Sequence, residues 1–247
     1  MRRAAALIVS IGFGGFGACG TPTTTRPPSP ANETRPGSSP PTVRFASMQL
    51  VAIGLPAIAA DGSTVVHAVV DGDGGRGNPN LVLVSRDRDD RERERFVVIT
   101  ANDAEGQYDE RGPSVLLQKR IRAGDAWLDA RHGRNDLRPL VKLASEPNPL
   151  ATDEGNHAHG EGLRLDLTPR RLTIRQADTI VVDRAIPPSW TVADRTMCAT
   201  CEEVCRHAMF LEAAHADVAH RLVLLTVAYS GTDMCPEPVS QHHVVAW

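Results

Sequence analysis

Four cysteines near the C-terminal end carry the clearest chemical signal in this sequence. Cys198, Cys201 and Cys205 are separated by two and three residues, and Cys235 follows further along the chain. An even number of clustered thiols predicts two disulfide bonds if the compartment is oxidising. Three pairings of the four cysteines are possible, and each would cross-link the last part of the chain.

A metal centre is the alternative interpretation of these cysteines. A C-x2-C-x3-C run with a later Cys or His could supply four soft ligands to zinc or to an iron–sulfur cluster. The run lacks the paired knuckles typical of zinc sites, and Glu202 stands where a c-type haem site requires His. The pattern therefore favours disulfides, with a metal centre or free redox thiols as the remaining hypotheses.

The geometry of the final predicted hairpin suggests a pairing. Extending its two arms brings Cys198 and Cys201 opposite Cys235, so we expect one bridge from Cys198 to Cys235. The other bridge would then join Cys201 to Cys205, which requires a short helical turn over Ala199–Arg206 to bring the two Cα atoms within about 7 Å. Cys198–Cys205 with Cys201–Cys235 is the alternative pairing.

Histidines form the second group of candidates. His157 and His159 stand on a Gly-bounded polar loop that follows two acidic residues. Imidazoles and carboxylates together could bind a divalent ion loosely, which makes His157 and His159 weak metal candidates. A solvated polar loop is the simpler interpretation.

The other histidines offer less. His242 and His243 are successive residues of a predicted strand, so their side chains point to opposite faces and cannot both enter one site. His215 and His220 flank a predicted turn, and we expect them at the surface.

Catalytic motifs are missing from the sequence. It contains no G-x-S-x-G, H-E-x-x-H, P-loop or dinucleotide-binding pattern. No catalytic residue and no cofactor is therefore predicted. A β-rich hydrolase that uses carboxylates such as Asp71, Asp73 or Glu154 remains an alternative hypothesis.

The N-terminus predicts export. Arg2 and Arg3 precede the apolar run Ala4–Phe16, which is too short for a membrane-spanning helix and leads into Gly-Ala-Cys19. This stretch resembles the signal of bacterial lipoproteins, although a Phe stands where an aliphatic residue is usual. The resemblance implies that residues 1–18 are a signal peptide and that Cys19 is acylated, which ties the chain to membrane lipid. Gly20 after the cysteine implies the outer rather than the inner membrane.

Composition divides the rest of the chain in two. Residues 19–42 form a Pro/Thr/Ser-rich tether that has too little to bury to fold. Residues 43–247 are long enough for one domain with its own core. The chain carries −3; removing two signal arginines leaves −5, and the tether holds +1, so the domain carries about −6. A mildly acidic domain without a basic stripe excludes nucleic acid as a partner.

Short apolar runs between Gly, Pro, Asp and Asn predict an all-β domain. The clearest unit, residues 55–100, predicts four strands in a meander and resembles one blade of a TolB-like propeller. We predict two packed antiparallel sheets, with a propeller-like arrangement as the alternative, and at most one short helical turn. The further predicted strands are Ser114–Arg122, Ala126–Arg131, Leu137–Leu143, Gly162–Leu167, Arg171–Gln176, Thr179–Asp183, His207–Ala213, His220–Ser230 and His242–Trp247.

These observations favour a lipid-anchored envelope protein that binds a protein or another envelope component. The hydrolase and a metal-binding module that uses the Cys or His cluster are the two alternatives.

Overall fold

Short apolar segments form antiparallel strands in much of the chain. The computed structural model describes residues 39–70, 77–109, 112–145, 156–194, 205–206, 208–230 and 239–247, and of residues 193–194 and 205–206 only the backbone. In chain order the first elements are β1 (Thr42–Ala46), β2 (Gln49–Ile53), β3 (Ala57–Ile58), β4 (Thr64–Val69), β5 (Leu81–Asp87), β6 (Glu92–Ile99), α1 (Ala101–Ala104), β7 (Tyr108–Asp109), β8 (Gly112–Pro113), α2 (Val115–Asn135), β9 (Arg138–Pro139) and β10 (Val141–Lys142). The later elements are β11 (Ala144–Ser145), β12 (Asn156–Gly160), β13 (Leu163–Leu167), β14 (Arg171–Gln176), β15 (Thr179–Ala185), a 3-10 turn (Pro188–Trp190), β16 (Ala193–Asp194), β17 (Cys205–Arg206), β18 (Met209–Asp217), β19 (Leu222–Tyr229) and β20 (Gln241–Ala246).

Three sheets contain most of these strands. The first sheet has the order β6-β5-β4-β3-β9, the middle sheet β10-β18-β19-β20, and the third sheet β11-β12-β13-β14-β15. Every pairing within them is antiparallel. The predicted all-β class with packed antiparallel sheets is confirmed, but the large sheets number three and not the predicted two.

The middle sheet is covered on both faces. Its strand β19 is apolar at almost every position, as expected for a strand with two buried faces. Leu222 and Leu224 pack with Val65 of the first sheet. Val223 and Leu225 belong to the core that the middle sheet shares with the third sheet. The sandwich therefore has three stacked layers, because one sheet serves two interfaces.

A helix and a hairpin cover the outer face of the first sheet. Leu117 and Leu128 of α2 pack with Val66 of β4, and the β1–β2 hairpin joins the same core. Gly124 lies at the closest approach: a Cβ there would be 3.1 Å from methyl groups of Val43 and Val98, so these side chains would have to move by a few tenths of an ångström. The backbone N–H of Val43, near the start of the hairpin, donates a hydrogen bond to the Asp125 carboxylate of α2 (2.6 Å). This bond fixes the end of the hairpin to the helix.

The prediction of at most one short helical turn is wrong, because α2 has 21 residues. Its sequence was expected to form two strands, Ser114–Arg122 and Ala126–Arg131. The segment instead has the signals of a helix: Ser114 caps its first turn by accepting from the Leu117 N–H (3.1 Å), and Asp136 ends it in a left-handed conformation. It contains no proline, and residues 117, 121, 124 and 128 recur at helical spacing.

The prediction of a helical turn over Ala199–Arg206 is also wrong for its last two residues. Cys205–Arg206 form the extended strand β17, which pairs with Ala193–Asp194. Residues 199–204 lie outside the described residues.

Two other segments differ from expectation. Leu137–Leu143 is not one strand: β9 belongs to the first sheet and β10 to the middle sheet, so the chain crosses between layers at Leu140. The polar loop expected before Gly162 contains β12, a strand of the third sheet.

Candidate functional site

The interface between the first and middle sheets changes character along its length. At one end Ile58, Val65 and Leu224 form a small apolar core. Further along, the same faces present His67 and His242, which line two cavities. We call this histidine-lined end of the interface the cleft.

Strand alternation places each of the cleft histidines. On β4, Val66 faces the helix layer, so His67 faces the middle sheet. On β20, Val245 faces the third sheet, so His242 faces the first sheet. His215 of β18 reaches the cleft in the same way, between alanines that face the third sheet.

His67 and His242 are stacked across the cleft. Their ring centroids are 4.5 Å apart and the ring planes are inclined by 21°. His67 is only 2% exposed, and neither of its ring nitrogens has a hydrogen-bond partner among the described residues. The Nδ1 atom of His215 is likewise buried without a partner there. Polar atoms of this kind are uncommon inside proteins.

The electrostatics of the cleft keep these imidazoles neutral. Burial lowers the pKa of His67 well below its ordinary value, and the neighbouring His242 and Arg86 add to the shift. Burial also lowers the pKa of His242 to about 4, with a further contribution from Arg86. The pKa of His215 falls to about 4 because of burial and, secondarily, Lys142. At neutral pH all three rings can therefore both donate and accept a hydrogen bond.

Two cavities adjoin the stacked pair. The small chamber, about 180 Å³, is lined by His215 and by apolar residues such as Leu55 and Leu224. The large chamber, about 370 Å³, is lined by Arg86, Arg95 and residues of β20. Both chambers are lined by His67 and His242.

Beside the cleft, the β5–β6 hairpin is fixed to the middle sheet by Asp90. Its carboxylate accepts from the Val244 N–H (2.7 Å) and lies 2.8 Å from His243 Nδ1. The His243 ring stacks on Trp190 at 3.9 Å. Arg88 of the same hairpin also reaches across the layers and donates to the His220 carbonyl (2.8 Å). These contacts fix the two sheets next to the cleft.

The predicted metal candidates lie elsewhere. His157 and His159 stand on the outer face of β12, paired with Asp166 and Arg164, and not on a loop. Within the described ranges, no three His, Cys, Asp or Glu side chains are placed to share a metal ion.

Most other predicted site residues fall outside the described ranges. These are Cys19, Cys198, Cys201, Cys235, Asp71, Asp73 and Glu154, while Cys205 is described by its backbone alone. His242 and His243 stack on different rings, as expected for successive strand residues, but both line the large chamber, so the expectation that they cannot share one site is wrong. The expected surface position of His215 is wrong, because it lines the small chamber.

Sequence reasoning missed the cleft because its members are distant in the chain. His67 stands alone in an apolar strand, where a single histidine usually signals nothing more than a core position. Only the pairing of β4 and β20 with separate sheets brings it against His242.

No helix within the described ranges has the length and apolar character needed to cross a membrane. Comparisons of the chain with protein-family models, with curated proteins and with solved structures give no match.

Proposed function

We propose that this protein is an exported lipoprotein whose β-rich unit binds a small ligand in the cleft. The observation that supports this most is His67, a buried imidazole with two unpartnered nitrogens between two cavities. A buried polar group left unpaired costs about 1–3 kcal/mol. Val65, on the same face of the same strand, packs in an apolar cluster without that cost. A ligand that pairs with the imidazoles would remove it.

The chemistry of the lining favours binding over hydrolysis. The described residues that line the two chambers include histidines, arginines, Ser240 and Gln241, but no carboxylate. The pair of carboxylates that a β-rich hydrolase would use is therefore not supplied by the described lining. A site of several neutral imidazoles and two guanidinium groups is suited to holding a ligand through hydrogen bonds.

The binding test uses the full chain, extracted in detergent, and thermal unfolding in the presence of five probes. The probes are zinc chloride, sodium sulfate, sodium oxalate, glycine and glucose. We expect at least one probe class to raise Tm, and His67→Leu to abolish that rise. His159→Leu, on the outer face of β12, is the matched control and should keep it. If no probe raises Tm, or if His67→Leu responds like the wild type, the cleft is not a binding site.

We propose that Cys19 anchors the protein by lipid, outside the cytoplasm and at the outer membrane. The N-terminal signal supports this, since several acyl chains hold a protein firmly at about 0.8 kcal/mol for each buried methylene. Cys19→Ser should move the exported protein from the membrane to the soluble fraction, whereas Cys235→Ser should not. An equally membrane-bound Cys19→Ser protein would overturn the anchor.

We further propose that the four C-terminal cysteines form two disulfides. Thiol counting on the exported protein, without reductant and with a chelator present, should find no free thiol among Cys198, Cys201, Cys205 and Cys235. Four free thiols with stoichiometric zinc or iron would replace the disulfides by a metal centre.

A further inference from the structure

We infer that the large chamber binds a small oxyanion, and that the anion enters together with a proton taken up by the stacked histidines. This rests on the proposed binding function and adds the class of ligand and its dependence on pH. Three independent features carry it: the charge of the lining, the support of the guanidinium groups and the position of the imidazoles.

The first feature is the charge of the chamber wall. Two guanidinium groups, Arg86 and Arg95, line it, and no carboxylate is found among its described lining residues. In the remaining polar lining the Gln241 amide can donate hydrogen bonds, whereas the Ser240 hydroxyl already donates to the Glu212 carboxylate (2.9 Å). Both guanidinium groups are paired with acids, Arg86 with Asp90 and Arg95 with Glu92, so an oxyanion is favoured over a cation because the wall presents guanidinium N–H groups and no acidic oxygen.

The second feature is that both guanidinium groups are held in place by acids that do not line the chamber. Glu92 accepts two hydrogen bonds from Arg95, from Nε and Nη2, each 2.7 Å. Arg86 donates through Nη1 to the Asp90 carbonyl (2.8 Å) and carboxylate (3.2 Å). Its Nε is buried without a partner among the described residues. The arginines are thus oriented before any ligand binds, and the Nε–H of Arg86 is still able to donate a hydrogen bond.

The third feature is the stacked pair at the end of the chamber. His67 and His242 form part of the wall beside the guanidinium groups, so an anion in the chamber lies next to them. The charged and titratable groups that face this pair from the surrounding strands are Arg86 of β5, Arg95 of β6, His215 of β18 and His243 of β20.

Because the neutral imidazoles lie beside cations, binding of an anion in the chamber favours binding of a proton to a ring. Without a ligand, the pKa of His242 is lowered to about 4 by burial and by Arg86, so the ring is neutral at pH 7. An anion offsets the repulsion from Arg86 and makes a charged imidazole favourable, which raises the pKa. By linkage, a ligand that raises a pKa binds more tightly as the pH falls towards that raised value.

The volume of the chamber is sufficient for a small ligand. About 370 Å³ is at the lower end of the range of ligand pockets. It suits a group such as a sulfate, a phosphate or a short dicarboxylate, with water filling the remaining space. A larger anion would have to extend out of the chamber.

The test measures binding of sulfate and of oxalate, which both stay ionised above pH 6, by titration calorimetry of the detergent-extracted full chain. Between pH 7.5 and pH 6 we expect the Kd to fall, by up to about tenfold per pH unit for one proton taken up. Repeating the titration in buffers of different ionisation heat should show uptake of about one proton per anion bound.

Three variants identify the groups. Arg86→Gln should weaken the Kd about tenfold or more, and His67→Leu should reduce the dependence on pH. If Arg86→Gln does not fold, Arg95→Gln tests instead whether anion binding needs a guanidinium group. Arg120→Gln, an exposed residue of α2, is the matched control and should bind like the wild type.

The outcomes separate this inference from the proposed function. Zinc or glucose binding that depends on His67, without any anion binding, would overturn the oxyanion and keep a ligand site in the cleft. Anion binding without proton uptake would overturn the coupling to the histidines. If neither anions nor the other probes bind in a way that depends on His67, the binding function fails as well.

Discussion

The two faces of the middle sheet bury polar groups in opposite ways. Towards the third sheet, Asn156 is almost fully buried, and its amide both donates to the Leu211 carbonyl (2.6 Å) and accepts from the Leu211 N–H (2.8 Å). Towards the first sheet, His67 is equally buried and has no partner for either nitrogen among the described residues. Two equally buried polar side chains therefore differ: the Asn156 amide is hydrogen-bonded, and the His67 ring nitrogens have no partner among the described residues.

This contrast fits a structural role for the Asn156 amide and the proposed binding role for His67. The Asn156 amide closes an irregularity in β18, where the register shifts between Leu211 and Ala213. It therefore stabilises the fold by satisfying backbone groups. The His67 ring nitrogens, by contrast, have no hydrogen-bond partner of good geometry among the described residues, and the ring lines two cavities, which is what the proposed ligand site would account for.

The largest expected effect lies in the core between the middle and third sheets. Leu165 is fully buried there, so Leu165→Ala should lower the free energy of unfolding by about 2–5 kcal/mol. Urea denaturation checks the value. Ile180→Ala is the control in the same sheet, because Ile180 is about half exposed and should cost much less. Equal effects for the two variants would contradict the layer assignment.

The next largest effect concerns Asn156. Replacing it by Ala leaves the Leu211 N–H and carbonyl buried and unpaired, and each unpaired group costs about 1–3 kcal/mol. Urea denaturation of Asn156→Ala should therefore show a clear loss, whereas Asn156→Asp should retain the bond from the Leu211 N–H. A loss below about 0.5 kcal/mol would mean that the amide does not support the β18 irregularity.

Acid should weaken the first interface. Folding lowers the pKa values of His67, His215 and His242. Below about pH 6.5 the unfolded chain therefore binds protons at these histidines that the folded chain does not bind. Stability is then retained above about pH 6.5 and falls as the pH drops towards 4, by at most about 1.4 kcal/mol per pH unit for each histidine. Urea denaturation between pH 7 and 4.5 measures the slope, which His67→Leu should reduce. An unchanged slope in that variant would show that His67 is protonated as easily in the folded state.

The smallest expected effect on stability is that of His67→Leu at pH 7.5. An apolar side chain of similar size removes two unpaired polar atoms, so the free energy of unfolding should stay within about 1 kcal/mol of the wild type or rise. Asn156→Leu, its counterpart on the other face, should destabilise the protein. A large loss from His67→Leu would indicate that the imidazole has a structural partner.

The parts of the fold that could be predicted are those in which one face of a strand is buried locally. Strands β13, β14 and β15 follow from alternating apolar residues and short turns, and the structure places them as expected. Strand β19 was recognised from its apolar run. That its second face covers another sheet does not follow from the run itself, because the partner residues lie far away in the chain.

The helix α2 was predicted wrongly for a local reason. Gly124 next to Asp125 resembles a turn, but here the glycine allows the helix to approach Val43 and Val98 closely. The signals for a helix that the sequence does contain are the capping serine at its start and the absence of proline over the whole segment. The cleft had no local signal, since His67 and His242 meet only through the stacking of two sheets.

The crossing of the chain between layers has a consequence for biosynthesis. Strand β3 completes its sheet by pairing with β9, and Arg138 donates to the Ala60 carbonyl across 78 residues of sequence. A nascent chain that has emerged only as far as the helix therefore presents β3 with an unpaired edge, which is a template for aggregation. Contacts between such distant residues also slow folding. We expect a chain truncated before Arg138 to depend on a chaperone and to precipitate without one.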